Sequence, residues 1–264
     1  MKQVQGAFES GKYGHALALF DQLRQKDKVQ DTACYHVVLQ KVLGLKGDVN
    51  LALALLEEMK QEHDDPMSLV VLGSHTYNIV LNGMASRVRQ NNQERRSSFW
   101  GGFRGRGEEE DVELLLPMDT LYLEMLRRGL SPDGHTYSAM IKGCVSAKDE
   151  GRALLHLDNM LVQMAQEVEE EAKERAKDKA GARAGARAGT LQDLHTEGNR
   201  GVHTQRGRRR MTHQDVQVCA SQVVSLVGQS SCNNILRQHQ ATLDVLARQA
   251  KQQQRRRQHS SSPS

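Results

Sequence analysis

The stretch SPDGHTYSAMIKGCVSAKDEGRALLHLDNML, residues 131–161, has weaker copies elsewhere in the same chain. TACYHVVLQKVLGLKGDVNLALALLEEM (32–59), SHTYNIVLNGMAS (74–86) and ESGKYGHALALFDQL (9–23) all align with it. Tyr35, Tyr77 and Tyr137 mark equivalent points of a first segment; Ala16, Ala52 and Ala153 mark a small position in a second. Leu23, Met59, Met125 and Met160 mark the apolar end of that second segment. Tyr35 to Met59 spans 24 residues and Tyr137 to Met160 spans 23, and the connections Leu23 to Tyr35 and Met125 to Tyr137 each span 12, giving a period of about 35. Tyr77 to Met125 spans 48, so that copy carries 25 additional residues, which map onto SRVRQNNQERRSSFWGGFRGRGEEE (86–110). Self-similarity at such a period is the signature of a repeat architecture, in which no unit buries its apolar face alone.

Each unit reads as a helical hairpin. Ser131-Pro132-Asp133-Gly134 is a turn: proline fixes φ, aspartate caps the following helix and glycine accepts the bend. Tyr137, Met140, Ile141 and Cys144 then recur at helical spacing, and Ala153, Leu154, Leu157, Met160 and Leu161 form a second stripe after a break at 146–149. The fold class expected is all-α, a solenoid of antiparallel helix hairpins. The first copy lacks most of its first helix, so the chain either begins inside a repeat or opens with a capping helix.

Composition agrees with stacked hairpins better than with one large core: aromatics are 4% and hydrophobics 38% of 264 residues. No apolar run approaches the length needed to span a membrane. MKQVQGAFESGKYG shows neither a hydrophobic signal core nor an Arg/Ser-rich transit pattern. Cys34, Cys144, Cys219 and Cys232 stand at unrelated spacings with no CxxC pair, which suits small core residues in a reduced compartment. The net charge of +4 conceals an asymmetry, because residues 165–264 carry 17 Lys/Arg against 10 Asp/Glu. The first 164 residues therefore sum to −3.

HTYNIVLNG, HTYSAMIKG, GHALALFDQL, LALALLEEM and LEMLRRGLSPD together resemble the pentatricopeptide repeat family over about residues 7–164, most specifically at RRGLSPDGHTYSAMIKG. The tetratricopeptide pattern, with its W-x2-LG-x2-Y first helix, is absent. The resemblance implies single-stranded RNA as partner, one base per repeat, each read by two or three side chains. It also implies base-recognition positions: the residue after the first-helix Tyr, here His36, Asn78 and Ser138, and the last residue of the repeat, here Asp133. Asp31 closes the truncated first copy, and the repeat of Ser138 has no clear closing residue. Asn78 with Asp133 resembles the family's uracil-preferring pair, since an amide both donates and accepts. His36 departs from the family's usual Asn, Ser or Thr. Asn78 and Ser138 read equally well as ordinary solvent-facing helix residues.

Charge opposes strong RNA binding by the scaffold itself. Residues 86–107 hold six Arg against one Glu, leaving −8 on the remaining repeat body, whereas phosphate contacts supply most nucleic-acid affinity. The insertion offers compensation as a loop-like arm: Arg95, Arg96, Arg104 and Arg106 meet phosphates while Phe99, Trp100 and Phe103 stack on bases. A tolerated loop insertion without function is the plain alternative. EEED at 108–111 reads as acidic residues complementing a helix dipole rather than a metal site.

Four segments are expected: 1–164, a region of about four repeats with the insertion at 86–110; 165–211, a charged helix extension and disordered low-complexity linker; 212–256, a helical hairpin; and 257–264, a disordered tail. Glu169–Lys173 and Glu171–Arg175 have favourable i,i+4 spacing on the extension. The hairpin at 212–256 either caps the array or binds a partner. HTE at 195–197 fits half of a zinc-deaminase motif, but the P-C-x-x-C half is missing; there is no aspartate cluster for a metallonuclease and no phosphate-cradling loop. The sequence thus reads as no enzyme, with no cofactor, small-molecule substrate or membrane partner. By resemblance it acts in RNA processing, stability or translation in a mitochondrion or chloroplast. The alternative is a protein-binding helical scaffold.

Overall fold

The computed structural model describes residues 2–26, 31–66, 68–97, 107–187 and 211–248. Every regular element among them is helical. The chain divides into two compact units, Met1–Ala153 and Leu154–Ser264.

The first unit runs α1 (Lys2–Glu9), α2 (Tyr13–Lys26), α3 (Thr32–Lys41, widening into a π-helical turn over Val42–Lys46), α4 (Val49–Asp64), α5 (Ser74–Ser97), α6 (Gly107–Arg127) and α7 (Gly134–Ala147). It ends in the first turn of α8 (Glu150–Arg187), which continues into the second unit. Within this unit α1 packs on α2, α3 on α4 and α5 on α6, and the first members stand in a row, α3 on α5 and α5 on α7. Tyr35, Tyr77 and Tyr137 sit on these three neighbouring helices and are all buried. Ala16, Ala52 and Ala153 are fully buried. In the α5–α6 hairpin the corresponding position is Met118, also fully buried, and the larger side chain is accommodated by a glycine on the next first helix. A Cβ on Gly143 would lie 2.9 Å from Met118 Cε. One repeat earlier, a Cβ on Gly83 would lie 2.5 Å from Leu43 Cδ1 and 2.8 Å from Leu43 Cβ. These glycines let the helices approach closely.

The helix starts are set by caps. Asp31 accepts from the Cys34 amide and Asp48 from the Leu51 amide, both at 3.0 Å. Asp133 and Thr136 form a reciprocal capping box at the start of α7. At the other end of that turn, Gly129 takes the left-handed conformation (φ 72°) that ends α6.

The insertion is built differently from the loop expected. Residues 86–97 continue α5 and 107–110 open α6, so only 98–106 fall outside the described residues. Arg and Gln are good helix formers, and Val88 carries on the buried stripe of Val80, Leu81 and Met84. Asn92, on this extension, donates from its amide to the Ser146 carbonyl at the end of α7. Residues 86–97 therefore lengthen α5, and Val88 joins the core.

In the second unit α8 stays helical through Arg187, so GARAGAR, expected in the disordered linker, is helix; alanine's high propensity offsets the glycines. Glu169 and Lys173 pair at 2.7 Å as expected, while the Arg175 side chain lies outside the described residues. Residues 188–210 and 249–264 also lie outside, including HTE and the tail. The expected hairpin comprises α9 (His213–Val227) and α10 (Gln229–Gln238), packed together, followed by a further helical segment over 240–248. A capping box of Thr212 and Asp215 starts α9, and Val216, Cys219 and Val223 form its buried stripe. His239 lies 2.9 Å from Asp158 on α8, within the same unit.

All four cysteines are free thiols. Burial pushes the Cys144 thiol up to about 12, which keeps it protonated and unreactive at neutral pH.

Candidate nucleic-acid interface

A helix turns about 100° per residue, so a side chain directly after a core-facing tyrosine lies at the rim of the buried stripe. His36, Asn78 and Ser138 occupy that rim on α3, α5 and α7. Asn78 is buried, at 5% exposed, which corrects its reading as an ordinary solvent-facing residue. His36 and Ser138 are half-buried.

Asn78 is held by the turn before the next first helix. Its Nδ2 donates to Asp133 Oδ1 at 3.0 Å, although the two residues are 55 apart in sequence. Its Oδ1 accepts from the Thr136 hydroxyl at 2.7 Å. Asp133 Oδ1 also accepts from the His135 and Thr136 amides, each at 2.9 Å, and the Asp133 amide donates to Thr136 Oγ1 at 3.0 Å. One carboxylate oxygen therefore caps α7 and grips α5. The long insertion does not part the pair in space.

The preceding junction repeats the pattern with other residues. Thr76, which precedes Tyr77 as Thr136 precedes Tyr137, places its hydroxyl 2.8 Å from His36 Nε2. The His36 ring meets His75 edge to face, with centroids 4.9 Å apart. Burial, aided by the charge of His75 and opposed by Asp31, pushes the His36 pKa below its ordinary value and favours the neutral ring. Four residues before Tyr77, where Asp133 would stand, the chain has Gly73. This junction lacks the carboxylate.

The sequence pattern alone assigns no role to the two threonines, although their signal is visible in it as the shared His-Thr-Tyr of 75–77 and 135–137. Both are buried, Thr76 at 1% and Thr136 at 0% exposed.

Behind the rim, polar and aromatic contacts tie helices together within and between hairpins. Tyr77 donates to Glu124 Oε1 at 3.1 Å, and Glu124 also receives Lys60 at 2.7 Å and Arg128 at 3.2 Å. Tyr122 and Tyr137 hydroxyls lie 3.2 Å apart. Arg24 pairs with Glu58, and Phe20 packs edge-on against Tyr35.

The residues expected to form the arm are not brought to this rim. Phe99, Trp100, Phe103, Arg104 and Arg106 lie outside the described residues, as do the Arg95 and Arg96 side chains at the end of α5 and the side chains of 108–111. Among the described residues no cluster of His, Cys, Asp or Glu is arranged to hold a metal ion, and no helix is long and apolar enough to cross a membrane.

Residues 120–162 match the pentatricopeptide repeat domain, covering the end of α6, the Asp133 turn, α7 and the start of α8. This stretch is similar to a pentatricopeptide repeat. Pentatricopeptide repeat scaffolds are helical, are generally linked to RNA binding and are generally non-enzymatic. No curated protein matches the chain.

Proposed function

We propose that the chain is a pentatricopeptide repeat protein that binds single-stranded RNA along the row of α3, α5 and α7, with His36, Asn78, Asp133 and Ser138 facing the bases. The observation that carries the reading is the 3.0 Å approach of Asn78 to Asp133, two positions the family uses for base discrimination. The arm residues Arg95, Arg96, Phe99, Trp100, Phe103, Arg104 and Arg106 add phosphate and stacking contacts in this proposal, offsetting the acidic repeat body. The biological role is RNA processing, stability or translation in a mitochondrion or chloroplast. Fluorescence anisotropy with short oligo(U), oligo(C), oligo(A) and oligo(G) at several salt concentrations tests the first part. A preference for oligo(U) is expected; equal binding to all four would refute base reading. Fractionation of cells, followed by detection of the endogenous protein, tests the second.

A second reading, a protein-binding scaffold, is favoured by the net −8 of the repeat body outside 86–107 and by Leu116, Leu123 and Leu126 exposed along α6. Ultraviolet crosslinking in cells separates the two, because only the first reading requires covalent RNA adducts on α3, α5 or α7.

A further inference from the structure

The Asn78 amide has two faces with opposite chemistry, and the network around it leaves only one orientation. Asp133 Oδ1 already collects two backbone N–H groups, so it presents a pure acceptor and requires the Asn78 nitrogen. The other end must then be oxygen and needs a donor. Thr136 is equipped to be that donor. Its lone pair receives the Asp133 amide, which leaves its single proton for Asn78 Oδ1 at 2.7 Å in preference to Asp133 Oδ1 at 3.1 Å. Turned over, the amide would set its carbonyl against a carboxylate and its NH2 against a hydroxyl.

One Nδ2 proton and one Oδ1 lone pair remain for a ligand. Uracil offers a donor at N3 beside an acceptor at O4; cytosine offers an acceptor at N3 beside a donor at N4. A given donor–acceptor order along the amide edge matches one pyrimidine, and the reversed order matches the other. We infer that Thr136, and Thr76 at the preceding junction, are positioning residues that orient the base-facing side chain of the repeat before them and so set its choice of base. This rests on the RNA-binding reading above. The Thr76 hydroxyl engages His36 Nε2 as Thr136 engages Asn78, so the arrangement recurs where the reading residue is an imidazole and the carboxylate is absent.

The test uses the full chain with Thr136→Val, which keeps the shape and removes the hydroxyl, and Thr136→Ser, which restores it. Anisotropy with oligo(U) and oligo(C) should show the wild-type preference for oligo(U) reduced at least fivefold in the Val variant and kept within twofold in the Ser variant. Without RNA, the Asn78 side-chain NH2 resonances, assigned by comparison with Asn78→Ser, should exchange with water at least tenfold faster in Thr136→Val. Should the Val variant lose its fold, Thr76→Val keeps the idea exposed, because Gly73 rather than a capping aspartate stands beside Thr76. There, ring nitrogen shifts should report a single His36 tautomer in the wild type and a mixture in the variant. A wild-type preference that survives Thr136→Val overturns the inference alone. A wild type that binds both oligomers alike overturns the RNA reading, and the inference with it.

Discussion

The Tyr77 hydroxyl donates to Glu124 Oε1 at 3.1 Å, and the same carboxylate gathers Lys60 and Arg128, so one side chain of α6 ties α4 and α5 together. Burial alone would raise the Glu124 pKa; hydrogen bonds from Lys60, Tyr77 and Arg128 outweigh it and hold the carboxyl below the usual range. A depressed carboxylate stabilises the fold above its unfolded pKa, and that contribution disappears as pH falls through the folded value. Glu124→Gln should therefore cost about 1–3 kcal/mol at neutral pH, because the largely buried Lys60 loses its closer carboxylate and is left with the exposed Glu57 as its charged partner. The variant should also show a shallower loss of stability below about pH 4.5 than the wild type. Urea unfolding at pH 7 and pH 4 measures both; equal pH slopes would remove Glu124 from the account.

The two close-approach glycines should respond unequally to alanine. At Gly143 the new Cβ meets the tip of Met118, a flexible side chain that can move aside. At Gly83 it meets Leu43 down to its Cβ, 2.8 Å away, which cannot move without its backbone. Alanine gains about 1 kcal/mol of helix propensity over glycine in either place. Gly143→Ala should thus unfold within about 1 kcal/mol of the wild type, while Gly83→Ala loses about 1–3 kcal/mol. Chemical denaturation of the two variants gives the order directly, and the reverse order would mean that the helices meet elsewhere.

The hairpin order and the three buried tyrosines are legible in the sequence because a 3.6-residue stripe repeated at a fixed period can only be stacked helices. Composition misleads at two places. SRVRQNNQERRS reads as loop for its charge and lack of apolar residues, yet a single Val88 in register with Met84 is enough to keep α5 going. GARAGAR reads as linker for its glycines, though alanine dominates it. The candidate site is half legible. Asn78 and Asp133 follow from the repeat pattern, but their joining, the threonines that complete it and the presence of Gly73 at the neighbouring junction depend on side chains from consecutive repeats. No periodicity within one helix reveals such a meeting.

His36 should make folding sensitive to mild acid. Its pKa is lowered by burial first and by His75 second, against the pull of Asp31, so the unfolded chain takes up a proton before the folded one does. Stability should be flat above about pH 6.5 and fall as pH drops from there through the folded pKa. His36→Asn keeps a partner for the Thr76 hydroxyl and removes the titration. Thermal melts between about pH 5 and 7.5, the range over which a lowered histidine titrates, should show a smaller decrease in Tm for the variant. If both lose the same number of degrees, His36 is not the sensor.

Affinity and selectivity in RNA binding should separate under mutation. If the insertion supplies phosphate contacts, replacing Arg95, Arg96, Arg104 and Arg106 by Ala should weaken binding to every single-stranded RNA. It should also lower the slope of log K against log salt, by about 0.7 for each phosphate no longer neutralised, since fewer counterions are released. Asn78→Ala should behave otherwise. It leaves the arginines on the phosphates, so the salt slope stays, while preference among bases shrinks by about 1–3 kcal/mol, by analogy with base-edge recognition in DNA grooves. It also removes the nearer acceptor of the buried Thr136 hydroxyl, leaving it Asp133 Oδ1 at 3.1 Å, and one donor to Asp133, at a cost of about 1 kcal/mol of stability. Melting curves must therefore accompany the binding curves, and temperatures should be chosen at which the variant is fully folded. Anisotropy with homopolymers at three or more salt concentrations gives slope and preference together. Binding unchanged in both variants would move the RNA onto the Arg-rich residues beyond 200 and leave α3, α5 and α7 as a scaffold for another partner.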